Sequence, residues 1–141
     1  ERHTRLLLAV RPRTKEAEFI AQAIKEMLQP LPWAWRQTVT FDNGTEFAYH
    51  HELHDMNTET YFCDAHAPWQ KGGVENAIGR MRRLLPRKTD LATVTDEHFA
   101  QLIRLYNNTP RKCLDYRTPA EVFWEKLLHF KCESTYRLPP V

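Results

Sequence analysis

Residues 37–44 read QTVTFDNG, and the fold turns on them. Thr38, Val39 and Thr40 give the segment the β-branched content of a strand. The run ends abruptly at Asp42, Asn43 and Gly44, three strong turn formers. Asp42 is thereby placed at the C-terminal end of a strand, where open α/β sheets put their ligands. Downstream, residues 46–55 can form a short helix and residues 59–62 (ETYF) a second strand. A helix between two strands favours parallel pairing with a right-handed crossover.

Upstream, residues 5–11 (RLLLAVR) form a short apolar run with basic ends, of the kind a buried strand gives. Thr14 can cap a helix to about Gln29, with Ile20, Ile24, Met27 and Leu28 on one face; Pro30 and Pro32 stop it. Beyond Gly72 and Gly73 the spacing of Val74, Ile78, Met81 and Leu85 predicts a helix over residues 74–85, ended by Pro86. Another helix starts at Thr95, with Phe99, Leu102, Ile103 and Tyr106 on one side. Thr118, Pro119 and Glu121 make a capping box with proline at the first helical position, opening a helix to about His129. From Cys132 the chain reads as irregular. The expected fold is an α/β core with a helical C-terminal portion. Three strands are few for such a sheet, and its edge looks incomplete on the N-terminal side.

A length of 141 residues suits one domain, which buries roughly 68–70% of its unfolded surface without a disulfide staple. The mean hydropathy of −0.62, with no apolar run near ~20 residues, excludes a helical membrane protein. Nothing at the N-terminus reads as a signal peptide, and the chain begins at Glu1, as a fragment or processed piece would. Cys63, Cys113 and Cys132 lack a C-x-x-C pair, pointing to a reduced, cytoplasmic setting.

The net charge of +2 hides a segregation. Residues 41–68 contain no Lys or Arg but carry Asp42, Glu46, Glu52, Asp55, Glu59 and Asp64 with four histidines. Residues 69–88 carry Lys71, Arg80, Arg82, Arg83, Arg87 and Lys88 against Glu75 alone. That pattern suits divalent cations held beside a polyanion. It equally suits two solvated faces that salt-bridge each other. On the helix after Gly73, Asn76, Arg80 and Arg83 line one side, beside Glu75, Gly79 and Arg82. Glu75 can hold a metal while the arginines hold phosphates, or can simply favour the positive end of the helix dipole.

Asp42 can bind Mg²⁺ or Mn²⁺ through oxygen, or serve only the turn. His50 and His54, four apart with Glu52 between, offer a zinc alternative, with Cys63 and His66 as a C-x-x-H pair. The acid is not in the H-E-x-x-H position, and no second pair has matching spacing. Trp33 and Trp35 can stack on bases or pack in the core. There is no P-loop, dinucleotide fingerprint or nucleophile elbow.

Four segments in order change the weighing: TFDNGTEFAYH (40–50), YFCDAHAPWQKGGVEN (61–76), LLPRKTDL (84–91) and YNNTPRKCLDYRTPAEVF (106–123). This series closely resembles the catalytic core of bacterial DDE transposases of the insertion-sequence-thirty family, in the retroviral-integrase superfamily. The resemblance implies an RNase H-like fold and a site of three carboxylates holding two Mg²⁺ (or Mn²⁺) ions for phosphoryl transfer. Asp42 matches the second Asp, Glu75, 33 positions later, matches the Glu, and His50 matches a motif histidine. Lys71, Asn76, Arg80 and Arg83 fall where the family's helix meets DNA. The implied partners are transposon terminal repeats and target DNA, with further copies of the protein, in a cytoplasmic, nucleoid-associated setting and not at a membrane.

Two departures stand out. The family's first Asp lies on a strand upstream of residues 5–11 and has no match here, nor has its N-terminal helix-turn-helix region. The spacing from Asp42 to Glu75 is also slightly short, within residues 55–59. The expectation is a partial integrase-type core over residues 1–130 lacking its first strands, with an irregular tail over 131–141. Such a chain would be inactive alone, for want of the first Asp. The alternatives are a non-catalytic transposase remnant that binds DNA or oligomerises, and a zinc-dependent hydrolase using His50 and His54.

Overall fold

The computed structural model describes residues 1–12 and 14–135. Contacts divide them into two compact units: Leu8–Glu75, and Glu1–Leu7 with the described residues from Asn76 onward.

In the Leu8–Glu75 unit, β1 (Thr38–Phe41) and β2 (Glu59–Phe62) pair in parallel, Thr38 opposite Glu59 and Phe41 opposite Phe62. The ladder continues past both ends through Glu59 N–H to Gln37 O (2.8 Å) and Cys63 N–H to Phe41 O (2.9 Å). Both strands lie where the sequence places them, and they pair in the expected parallel sense. The connection differs: residues 46–55 form no α-helix but two 3₁₀ segments, Thr45–Phe47 and His50–Met56. Asn57 ends the second in the left-handed region (φ 55°), which asparagine tolerates. Leu53, wholly buried, anchors this crossover, and buried Phe41 stacks on Phe47 with ring centroids 4.6 Å apart. α1 (Ala17–Leu28) packs on both 3₁₀ segments, with Ala21 buried and Ile20, Ile24, Met27 and Leu28 half-buried. Lys25 also reaches Asp55 at 3.7 Å. Its N-cap is Glu16 rather than Thr14, whose hydroxyl accepts from the Glu16 amide at 3.4 Å. After the helix, Trp33 Nε1 donates to Asn57 O (3.1 Å), so this tryptophan braces the crossover.

The strand expected over residues 5–11 does not form. A ladder needs a second backbone, and among the described residues β1 and β2 pair only with each other. Leu7 instead finds a side-chain substitute. Its N–H donates to Asn107 Oδ1 (2.9 Å) and its carbonyl accepts from Asn107 Nδ2 (2.8 Å), the two bonds a neighbouring strand would make. Leu8 and Val10 remain exposed, so the apolar run is not the buried one its composition implied.

The remaining helices are α2 (Gly72–Leu84), α3 (Asp96–Asn107) and α4 (Pro119–Thr135). α2 begins at Gly72 rather than Val74, and its buried position is Ala77. Val74 and Ile78, expected to face a core, are exposed, with Met81 and Leu85 half-buried. α3 is capped by Thr95, whose hydroxyl accepts from the His98 amide (3.1 Å), and buries Leu102 and Tyr106. α4 opens on the expected capping box: the Thr118 amide donates to Glu121 Oε2 (2.8 Å) and the Glu121 amide to Thr118 Oγ1 (3.2 Å). Val122, Phe123 and Leu127 form its buried face. The helix continues to Thr135, so residues 132–135 are helical rather than irregular; the rest of the expected tail, 136–141, lies outside the described residues.

Between α3 and α4, Arg111 is buried. Its Nη2 donates to Tyr106 O (3.0 Å) and its guanidinium lies over the Tyr106 ring, 4.4 Å from the centroid, a cation–π contact. Burial pushes its pKa down, yet far too little to discharge an arginine at neutral pH. Among the described residues no helix is long and apolar enough to cross a membrane.

The mixed helix and strand content, with a parallel pair, is compatible with an α/β fold. Removing the Thr118 cap should cost about 1 kcal/mol. Urea denaturation of Thr118→Ala should therefore show a lower midpoint at an unchanged slope; an unchanged midpoint would show that the box contributes nothing.

Candidate functional site

The parallel ladder delivers Asp42 to the position directly after β1. Asn43 then donates its Nδ2 to Cys63 O (3.0 Å), which fastens the turn to the residue following β2. Gly44 has an ordinary negative φ of −70°, so no left-handed turn demands glycine there. Nor does close approach demand it: a Cβ at residue 44 would meet only the Glu46 carboxylate, at 2.4–2.8 Å, and that exposed, flexible side chain can swing away.

Asp42 Oδ2 accepts a hydrogen bond from the Lys71 ammonium. Oδ1 is buried and has no hydrogen-bond partner. The whole side chain is half exposed (50%), and that of Lys71 less so (21%). Lys71 holds the Asp42 carboxyl below the usual carboxylate range, burial opposes this, and the nearby amides of Gly44 and Asp42 add smaller lowering effects without bonding Oδ1.

Lys71 is placed by its neighbours. It closes the 3₁₀ segment Pro68–Lys71, immediately before α2. Gln70 clasps Asp64 in both directions: the Asp64 amide donates to Gln70 Oε1 and Gln70 Nε2 donates to Asp64 Oδ2, each at 2.8 Å. The end of β2 and the start of α2 are thereby tied together, with Lys71 reaching back to the end of β1. Lys71, one of the residues the family resemblance places at DNA, is paired here with Asp42. Positions 29 apart cannot be paired from sequence, although Lys71 is the first cationic residue after the acidic stretch.

Glu75 lies in the first turn of α2, in the same unit as Asp42, and is exposed. Among the described residues no group of three or more His, Cys, Asp or Glu is placed to hold a metal ion, so Asp42 and Glu75 do not join a third donor. His50 turns elsewhere. Its Nδ1 and the Nε2 of His54 share the Thr60 hydroxyl, at 2.8 and 3.0 Å, and its ring meets Phe62 edge-on at 4.8 Å. Two histidines thus converge on a hydroxyl of β2, not on a third metal ligand; buried Cys63 and exposed His66 do not complete such a group. The role of Thr60 had no sequence signal beyond its place in a strand.

In the other unit, Asn76, Arg80 and Arg83 are exposed on α2, and Arg80 Nε donates to Asn76 Oδ1 (3.2 Å), as i, i+4 neighbours on a helix should. The chain therefore presents an anchored acid beside a lysine, and a helix bearing exposed arginines.

No family model matches the chain. It is 37% identical over 123 residues (86% of its length, 32% of the relative's) to the transposase InsI for insertion sequence element IS30A of Escherichia coli K12. It is 36% identical over 140 residues (99% and 40%) to the transposase for insertion sequence element IS1086 of Cupriavidus metallidurans. It is 38% identical over 98 residues (64% and 30%) to the transposase for insertion sequence element IS4351 of Bacteroides fragilis. These matches make the chain a relative of the transposases of insertion sequences. Transposases of the IS30A and IS30C elements are among those it is similar to, in keeping with the resemblance that the ordered motifs carry. It spans about a third to two fifths of the length of these relatives.

The Asp42–Lys71 pair has a pH signature. A carboxyl whose folded pKa is depressed contributes stability above its ordinary value of ~3.9, and that contribution is lost as pH falls through the folded value. Lys71→Met should cost about 0.5 kcal/mol at neutral pH, small because the pair is half exposed. The difference between the two proteins should shrink as pH drops below the ordinary carboxylate range. A difference independent of pH, measured by denaturation across that range, would show that the ion pair is not its source.

Proposed function

We propose that the chain is part of the catalytic core of an insertion-sequence transposase, with Asp42 and Glu75 as two of its acids. The observation that carries this is identity of 36–38% to such transposases, over most of the chain in two of the three relatives described, together with Asp42 seated at the end of a strand in a parallel pair. On this reading β1 and β2 are strands of an RNase H-like, integrase-type sheet, and residues 1–130 are a partial core.

Mg²⁺ or Mn²⁺ ions, bound in pairs, supply activation of the attacking oxygen and charge stabilisation of the departing one in such sites. The described residues do not fit that pair unaided: no third donor joins Asp42 and Glu75, and one Asp42 oxygen is engaged by Lys71. The other Asp42 oxygen, Oδ1, is buried without a hydrogen-bond partner. The chain's own residues would act in binding and placement. Arg80, Arg83 and Asn76 lie on one side of α2, suited to phosphates of terminal-repeat or target DNA. The fixed turn 42–44 holds the acid at a set position, and His50 braces β2 through Thr60. Assembly with further copies belongs to the same proposal.

The lack of a three-donor group also favours a second reading, in which this chain alone binds DNA or other copies without catalysis. Alone, it should not nick terminal-repeat DNA; metal-dependent nicking lost in Asp42→Ala would overturn that. In a longer transposase carrying this segment, Asp42→Ala or Glu75→Ala should each lower end cleavage below roughly a hundredth, the scale of losing key transition-state stabilisation, while DNA binding persists. Full cleavage in either variant would refute the assignment of that acid. Arg83→Ala should weaken DNA binding evenly across sequences and reduce the salt slope by about 1; an unchanged slope would remove Arg83 from the interface.

A further inference from the structure

Asp42 is divided between two circumstances. Oδ2 is held by the Lys71 ammonium, whereas Oδ1 is buried without a hydrogen-bond partner. An unsatisfied buried oxygen of an ionised carboxylate is costly unless charge nearby compensates it. Lys71 is the one cationic side chain within 4 Å of this carboxylate among the described residues. Its stem is less exposed than the acid it serves, and the Gln70–Asp64 clasp fixes the backbone from which it springs. A tethered ammonium of this kind competes at high effective concentration with any cation from solution.

We propose that Lys71 is an internal counter-ion that excludes divalent cations from Asp42, so that Asp42 becomes a cation ligand only when Lys71 is withdrawn. The inference rests on the reading of Asp42 as an acid of the phosphoryl-transfer site. Its physics is Coulombic. A divalent ion at the carboxylate would sit within about 5 Å of the ammonium, and in water that repulsion alone weakens binding by roughly tenfold. Geometry adds to charge, since Oδ2 already carries a donor in the place where a metal would bond. Lys71 thus substitutes for a cation in the resting chain, holding the acid in position and neutralising it.

Mn²⁺ binding tests this without any measurement of activity. Free Mn²⁺ is followed by electron paramagnetic resonance at constant ionic strength, and paramagnetic broadening of the amides of residues 42–44 locates the ion. The chain is compared with Lys71→Met, Lys71→Gln and Lys71→Arg, each alone and combined with Asp42→Asn, with amide spectra to verify folding. The expected result is binding at least about tenfold tighter in Lys71→Met and Lys71→Gln than in the parent or Lys71→Arg, with the gain abolished by Asp42→Asn. Two outcomes overturn the counter-ion role while leaving Asp42 as a cation ligand. One is equal Asp42-dependent binding in the parent and both neutral variants; the other is a gain in Lys71→Arg equal to theirs. Absence of Asp42-dependent binding in every variant overturns both the counter-ion role and the reading of Asp42 on which it rests.

Discussion

A carboxylate at the end of β1 and an ammonium just before α2 hold each other, and the edge of the Leu8–Glu75 unit is organised around that contact. The two residues are 29 positions apart, yet each is delivered by local chemistry. β1 ends where Asp-Asn-Gly interrupts a β-branched run, and Asn43 pins the turn to Cys63. Lys71 closes a 3₁₀ segment whose Gln70 is locked to Asp64. Both strand ends and the helix start are thereby fixed to one another through a few polar bonds. As a half-exposed pair it adds little stability; its worth is positional.

Packing beneath the site follows the same economy. A two-strand ladder is marginal by itself, and here it is sustained by the crossover folded over it. Leu53 is wholly buried, Phe41 and Phe47 stack, and the α1 face closes over both 3₁₀ segments. His50 and His54 complete this support by sharing the Thr60 hydroxyl. In the other unit Asn107 does for Leu7 what a strand would do, while Arg111 closes over Tyr106. Asn107 and Arg111, both in the 106–123 motif, are thus occupied within the protein.

What was legible in the sequence was local. β-branched content located β1, helical spacing beyond Thr95 located α3, and the Thr118–Glu121 box located the start of α4. The place of Asp42 followed from the turn that ends β1. What was illegible depended on partners. An apolar run at residues 5–11 cannot reveal whether a second backbone will meet it, and none does among the described residues. Nor did the sequence mark residues 50–56 as 3₁₀ rather than α-helix, a segment that buries Leu53 and ends at the αL residue Asn57. The stripe on α2 gave the helix its period but not its burial, for Val74 and Ile78 stay exposed. For Lys71, composition showed the two signs of charge side by side; only the folded chain shows which ions meet. The relation to insertion-sequence transposases was legible because several short motifs keep their order across most of the chain, even though each one alone reads as a turn, a cap or a helix face.

The pairing of Asp42 with Lys71 is open to direct observation through the Lys71 side-chain ammonium in nitrogen-15-labelled protein. A lysine held by a carboxylate exchanges its protons slowly enough to give a resolved NH₃⁺ resonance, whereas a solvated one does not. A resolved Lys71 signal near neutral pH that vanishes in Asp42→Asn is the result this account predicts. A Lys71 ammonium indistinguishable from the solvent-exposed lysines, or one unchanged by Asp42→Asn, would contradict it.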